Sequence, residues 1–169
     1  MSEENTAGIT PERLRALLAY DPETGHFTWR VPLSRRIRPG DRAGYANDGY
    51  LLVRIDRRNY RGHRLAWLYT FGEWPNGDLD HINCDRADNR ISNLREATRS
   101  QNQANMRRPR HNTSGFKGAS FHQRKGKWQA IIQKDGKTLY LGLFPTAADA
   151  HAAYCAAAQE LHGEFWRAA

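Results

Sequence analysis

A chain of 169 residues with 39% hydrophobic content has room for one or two small domains and excludes a large multi-domain enzyme. Lys and Arg number 26 against 18 Asp and Glu, and the resulting +8 favours a polyanionic partner, nucleic acid first and an anionic membrane surface second. No apolar run nears the roughly 18 residues of a membrane span, the opening MSEENTAGIT is unlike a signal peptide, and Cys84 and Cys155 are too few for a disulfide framework, so a cytoplasmic chain without a membrane partner is expected.

In chain order, Thr10 reads as an N-cap and Pro11 as the first residue of a short helix with apolar residues at 14, 17 and 18, stopped by Asp21-Pro22. Between Gly25 and Asn59 short alternating runs, Phe27-Thr28-Trp29 and residues 50–55, sit between turn-forming clusters and read as small antiparallel strands. Helical spacing returns over 63–71, with Leu65, Leu68, Trp67 and Phe71 on one side and Gly72 and Pro75 as the stop. From Asn76 to Arg110 the composition shifts to Asp, Asn and Arg, with too few apolar residues for a conventional core. A motif of that composition is held by buried side-chain hydrogen bonds or by a metal. Arg107-Arg108-Pro109-Arg110 reads as a linker. Residues 117–123, 127–134 and 137–144 then read as three strands joined by Arg124-Lys125-Gly126 and Lys134-Asp135-Gly136. Thr146 caps an Ala-rich helix over 147–162 that closes at Gly163 and places Ala150, Ala153, Tyr154, Ala157 and Leu161 on one face. In the middle strand Trp128, Ala130 and Ile132 share one face, and Gln129, Ile131 and Gln133 the other.

The segment from Leu79 to Arg95, with Asn102 and Asn105 beyond it, combines a carboxylate, an imidazole and several carboxamides. Oxygen ligands of this kind suit a hard cation such as Mg²⁺, and a neighbouring imidazole can take a proton from water, which are the two needs of phosphodiester hydrolysis. Asp and Asn are equally common turn formers, so residue types alone leave a purely structural loop open.

His63-Arg64-Leu65-Ala66-Trp67, Asp80-His81-Ile82, Asp88-Asn89-Arg90, Asn93-Leu94-Arg95 and the Asn102/Asn105 pair closely resemble the HNH endonucleases of phage introns and free-standing phage homing genes, over roughly residues 45–106. The resemblance implies a ββα-metal (His-Me finger) fold in which Asp80 and Asn102 ligate one Mg²⁺ or Mn²⁺ and His81 is the general base. It implies too that Asn93 holds the loop, and through it the His81 ring, by hydrogen bonds. His81 and Cys84 form an H-x-x-C pair, but without a second Cys pair nearby zinc is the lesser expectation. Cleavage would leave 5′-phosphate and 3′-hydroxyl ends, and a single centre favours nicking by a monomer. His63, Arg64, Arg90 and Arg95 are candidate phosphate contacts, with Arg86 and Arg99 in the same pool; Asp85, Asp88 and Asn89 read as turn formers.

Asn112 to Gly118, then Gly126-Lys127-Trp128, Leu141-Gly142-Leu143-Phe144, Thr146 to Ala150, Ala153-Tyr154 and His162-Gly163 look like an Apetala2/ethylene-response-factor DNA-binding domain. Such domains lay the exposed face of a three-stranded sheet into the major groove. By position that face would comprise Lys117, Ser120, His122, Arg124, Gln129, Ile131, Gln133, Thr138 and Tyr140. Several positions that carry base-reading Arg or Trp in the plant domains are Ser, His, Gln, Thr or Tyr here, so the plant target preference does not transfer.

The expectation is therefore an α+β chain. Residues 1–44 form an N-terminal extension, 45–108 a nuclease domain with its core at about 76–106, 109–111 a linker, and 112–169 a sheet-and-helix module that binds double-stranded DNA. The expected activity is a metal-dependent DNA endonuclease of the phage homing type, with no small-molecule cofactor beyond the metal. The alternative is a non-catalytic DNA-binding regulator on the same scaffold, with an RNA-directed nuclease behind it.

Overall fold

Thr10 caps the first helix, α1 (Pro11–Leu17): its hydroxyl accepts from the Arg13 backbone N–H at 3.2 Å, and Pro11 stands where a missing N–H costs nothing. The computed structural model describes residues 8–108 and 111–168, and the chain divides into two compact units, Met1–Glu96 and Ala97–Ala169.

In the first unit α1 runs directly into β1 (Leu18–Asp21), which pairs antiparallel with β2 (His26–Trp29). Leu14, Leu17 and Leu18 are all buried, so the apolar spacing that reads as helix continues into a strand and gives no boundary signal. The next sheet has the order β3 (Tyr45–Asn47), β4 (Tyr50–Ile55), β5 (Arg58–Arg61), all antiparallel. β5 buries only Tyr60, and its charged neighbours hide it from a hydrophobic pattern. Helix α2 (Gly62–Phe71) follows and ends at Gly72, whose φ of 78° lets its N–H reach the Leu68 carbonyl.

Leu14 and Leu18, Phe27, Val53 and Ile55, and Leu65 and Leu68 form one core. Within the segment set apart by sequence as an extension over 1–44, α1 and the β1–β2 hairpin thus join the same core as α2, while residues 1–7 lie outside the described residues. Two short strands, β6 (Asp78–His81) and β7 (Leu94–Ala97), pair at the end of this unit, and a single turn of 3₁₀ helix (Ile91–Asn93) leads into β7.

The second unit opens with α3 (Arg99–Asn105), started by a capping box in which Thr98 accepts from Gln101 N–H and Gln101 accepts from Thr98 N–H. Its sheet has the order β10 (Lys137–Phe144), β9 (Lys127–Lys134), β8 (Ala119–His122). Across one face lies α4 (Ala147–His162), capped by Thr146. The predicted strands, turns and helix of this unit are therefore observed, with β8 shorter than its pattern. The buried line of α4 runs through Ala150, Tyr154, Ala158 and His162, so the expected face is rotated slightly, with Ala153, Ala157 and Leu161 at its half-buried margin. A Cβ on Gly118, at φ 76°, would run into the Tyr154 ring, which explains glycine at the entry to β8. The register of β9 on β10 shifts between Tyr140 and Gly142, a bulge that pairs Leu143 with Gln129 and turns Leu143 toward the face opposite α4. Of the expected linker, residues 109 and 110 lie outside the described residues. Among the described residues no helix is long and apolar enough to cross a membrane.

Candidate nuclease site and nucleic-acid interface

The loop after β6 organises itself with its own Asn and Asp side chains. Asn83 Oδ1 accepts from Asp85 N–H at 2.8 Å and Asp85 Oδ1 from Ala87 N–H at 2.9 Å. The Asn83 amide donates to Asp88 Oδ2 at 2.7 Å, while Cys84 takes a positive φ of 60° in the turn. Asn93 straps the loop closed from its far end. Its Oδ1 accepts from Asn83 N–H at 3.0 Å, and its Nδ2 donates to Asn83 Oδ1 at 3.0 Å and to the Asp88 carbonyl at 2.9 Å. The Ile82 N–H also donates to the Asn93 carbonyl at 2.9 Å, so the residue after His81 is fixed on both sides.

Asp80 and His81, the last two residues of β6, are 3% and 6% exposed. Arg95 holds the Asp80 carboxylate, with Nε at 3.0 Å and Nη2 at 2.9 Å from the same Oδ2. The His81 ring packs edge-on against His63 at 5.0 Å between centroids and lies 6.2 Å from Tyr50. Burial lowers the proton affinity of His81, while the neighbouring Asn89 carboxamide and the carboxylates of Asp80, Asp85 and Asp88 act in the opposite direction. Asn89, read from sequence as a turn former, is 1% exposed and sets its carboxamide beside the His81 ring. It is the residue that sequence reasoning missed, because an Asn in an Asp/Asn-rich loop carries no mark of burial.

His63 was expected to touch phosphate or to be satisfied by a nearby carbonyl. The structure places it inside the fold: it is 5% exposed, and among the described residues its Nδ1 meets no hydrogen-bond partner. Burial, with the nearby His81, Arg61 and Arg64, lowers its pKa from 6.5 to about 3. The folded state therefore excludes a proton that the unfolded chain binds below pH 6.5. The stability held by neutral His63 is complete above that pH and is lost as pH falls through about 3, on the order of 3 kcal/mol by pH 4. Thermal melts from pH 7 to pH 4 should show a smaller acid-induced drop for His63→Phe than for the wild type, and equal drops would remove this assignment.

The arginines divide into two sets. Arg90 is engaged by Asp88 at 2.6 Å, and that contact pulls the Asp88 carboxyl down to about 2; Arg95 is engaged by Asp80. Arg64 donates to the Gly77 carbonyl at 3.3 Å and lies 5.7 Å above Trp74. Arg61 and Arg86 instead make no ion pair among the described residues, and each lies over the Tyr50 ring, at 4.7 and 4.9 Å. Sequence could not separate engaged from available cations.

Asn102 sits on α3 and so belongs to the second unit, whereas Asp80, His81 and Asn93 belong to the first. Among the described residues no three His, Cys, Asp or Glu side chains gather into a metal cluster. The expected donors are a carboxylate and a carboxamide, hard oxygen ligands of the type Mg²⁺ takes, and the buried Asp80 carboxylate beside His81 fits that chemistry.

In the second unit the register places Ser120 opposite Gln129, His122 opposite Lys127, Thr138 opposite Gln133 and Tyr140 opposite Ile131. These are the faces expected from sequence, and all lie away from α4, with Gln129 Nε2 donating to Ser120 Oγ at 3.0 Å. Arg124 lies in the exposed turn between β8 and β9. Lys117 is different: its ammonium donates to the carbonyls of Ala104, Met106 and Arg167 at 2.6, 2.7 and 3.1 Å. Those three bonds use all of its N–H donors and make it a buckle within the unit rather than a contact on the sheet face.

Comparison with known proteins follows the same division. Residues 60–104 match the HNH endonuclease family. The chain is 35% identical over 78 residues to Protein 3.8 of Escherichia phage T7, a match covering 46% of this chain and 64% of that protein. It is 42% identical over 57 residues to the AP2-like ethylene-responsive transcription factor TOE2 of Arabidopsis thaliana, covering 34% of this chain and 12% of the factor. The same identity and length relate it to APETALA2-like protein 2 of Oryza sativa subsp. indica, of which it covers 13%. The chain thus spans less than two thirds of these relatives' own lengths, and no solved structure matches it. It carries an HNH domain followed by an AP2-type DNA-binding region.

Proposed function

We propose that the chain is a divalent-metal-dependent DNA endonuclease of the phage homing type, working as a cytoplasmic monomer that nicks double-stranded DNA. The observation that carries this reading is the Asn93 strap, which fixes the chain directly after the buried Asp80–His81 pair. In this scheme the neutral imidazole of His81 accepts a proton from the attacking water. Asp80 and Asn102 would hold Mg²⁺ or Mn²⁺, which when bound neutralises charge on the scissile phosphate and the 3′ leaving oxygen. Arg61 and Arg86, unpaired with carboxylates and flanking the Tyr50 ring beside His81, are the better candidates for backbone phosphates than Arg90 and Arg95. The face of β8, β9 and β10 opposite α4 would lie in the major groove and select the site.

The test is cleavage of supercoiled plasmid and phage DNA by wild type and His81→Ala in Mg²⁺, Mn²⁺ or EDTA. Nicked product that requires metal and falls by about a thousandfold in the variant is expected, within the usual share of one acid–base group. Tight, salt-sensitive binding with no cutting of any DNA by the wild type would point instead to a regulator.

A further inference from the structure

The outward sheet face of the second unit has an unusual distribution of chemistry. Its centre carries two carboxamides, Gln129 and Gln133, and three apolar side chains, Ile131, Tyr140 and Leu143. Two hydroxyls, Ser120 and Thr138, complete it. No Arg, Asp or Glu stands on it; its side chains able to donate a hydrogen bond to guanine as a ring N–H or ammonium, His122 and Lys127, pair with each other at the end next to the β8–β9 turn. The other cations of this face's margin are Arg124 and Lys125, in the β8–β9 turn; at the opposite hairpin Lys134 and Lys137 pair on the α4 side of the sheet, next to Asp135. β9 separates these hairpins by its 8 residues, roughly 23 Å at the usual strand rise, which exceeds the about 12 Å width of the major groove. A neutral reading surface whose cations gather at the β8–β9 end suits a groove floor with a phosphate backbone beside that end.

We infer that this face reads A·T base pairs, and that the preferred site has an A·T-rich core. The inference rests on the proposal that the sheet enters the major groove. Carboxamides pair with adenine, the N–H donating to N7 and Oε1 accepting from the N6 amino group, whereas guanine calls for Arg or Lys and cytosine for a carboxylate. Gln129 is held for this task, since one N–H is given to Ser120 Oγ and fixes the plane of the amide, leaving the second N–H and Oε1 directed to a partner. Ile131 and Leu143 present methyl groups that can meet only one feature of the groove floor, the thymine 5-methyl. Leu143 reaches this face because of the bulge after Tyr140, so an irregularity in the strand adds an apolar contact that strict alternation would turn toward α4.

The experiment uses the full-length wild type in EDTA, first to enrich duplexes from a random-sequence pool and then to bind the enriched duplex with every core thymine replaced by uracil, which removes the methyl and nothing else. Enrichment of an A·T core is expected, with roughly tenfold weaker binding for each A·T pair changed to G·C. Uracil should weaken binding by several-fold, and Ile131→Ala or Leu143→Ala should abolish the difference between thymine and uracil duplexes. A G·C-rich core, or equal affinity for thymine and uracil duplexes, overturns the inference while leaving the sheet as the DNA face, provided that Gln129→Ala and Gln133→Ala still weaken binding. If those two variants bind as tightly as wild type and no core is enriched, the groove-docking proposal itself falls.

Discussion

Replacing Asn93 by Ala should lower cleavage by at least a hundredfold and also lower the melting temperature, whereas His81→Ala should remove cleavage with little loss of stability. The difference follows from what each side chain does. Asn93 is 7% exposed and makes three side-chain hydrogen bonds that join Asn83 and Asp88 across the loop. Truncation deletes these bonds and leaves the half-buried Asp88 carbonyl without its donor, at a cost of about 1–3 kcal/mol, while the Asn83 N–H, in an exposed residue, turns to water. Against a total stability of about 5–15 kcal/mol for a small domain that is a large fraction. The effect on cleavage comes from position, because a base displaced by about 1 Å loses on the order of a hundredfold in rate. Asn93→Asp sharpens the test: it keeps the acceptor for Asn83 N–H but has no N–H for the Asp88 carbonyl, so it should fall between wild type and Asn93→Ala in melting temperature. Wild-type melting and cleavage within threefold of wild type in Asn93→Ala would show that the strap does not position His81.

The parts of the molecule governed by local rules were legible in the sequence. Thr10 and Thr146 each cap a helix through a hydroxyl that accepts a nearby backbone N–H, and the Asp135-Gly136 turn joins β9 and β10. What depends on burial was not legible. Asn93 was expected to hold the loop only through resemblance, whereas Asn89, in the same polar stretch, read as a turn former and is instead buried facing His81. Which arginines are engaged depends on whether a carboxylate lies across the fold, as Asp80 does for Arg95, and spacing along the chain does not report that. The outward turn of Leu143 depends on a one-residue register shift that no alternation pattern contains. The roles of Asp80 and Asn102 toward a metal came from resemblance, and only the burial of Asp80 and its hold by Arg95 are physical support from the fold.

The N-terminal residues supply the second large effect. The β1–β2 turn lies against the outer wall of the nuclease loop: the Tyr20 hydroxyl donates to the Asn89 carbonyl at 2.8 Å. A Cβ on Gly25 would stand 2.5 Å from Arg90 N and 2.6 Å from Asn89 C. Those are backbone atoms, so the clash can be relieved only by moving the loop that carries Asn89, or the hairpin that covers it. Gly25→Ala should therefore destabilise the protein by more than the about 1–2 kcal/mol that a left-handed backbone conformation costs a non-glycine residue, and should reduce cleavage by tenfold or more. Gly40→Ala is the control, because Gly40 has a φ of 92° and no atom within 4 Å of its built Cβ. It carries the conformational cost without the collision and should leave cleavage unchanged. Tyr20→Phe, which removes one hydrogen bond, should cost about 1 kcal/mol. If Gly25→Ala and Gly40→Ala melt and cut alike, the hairpin packs beside the loop without supporting it. If they separate as expected, the β1–β2 hairpin is a structural wall of the candidate nuclease site, because the loop has too few apolar side chains to hold the Asn89–Arg90 backbone in place from within.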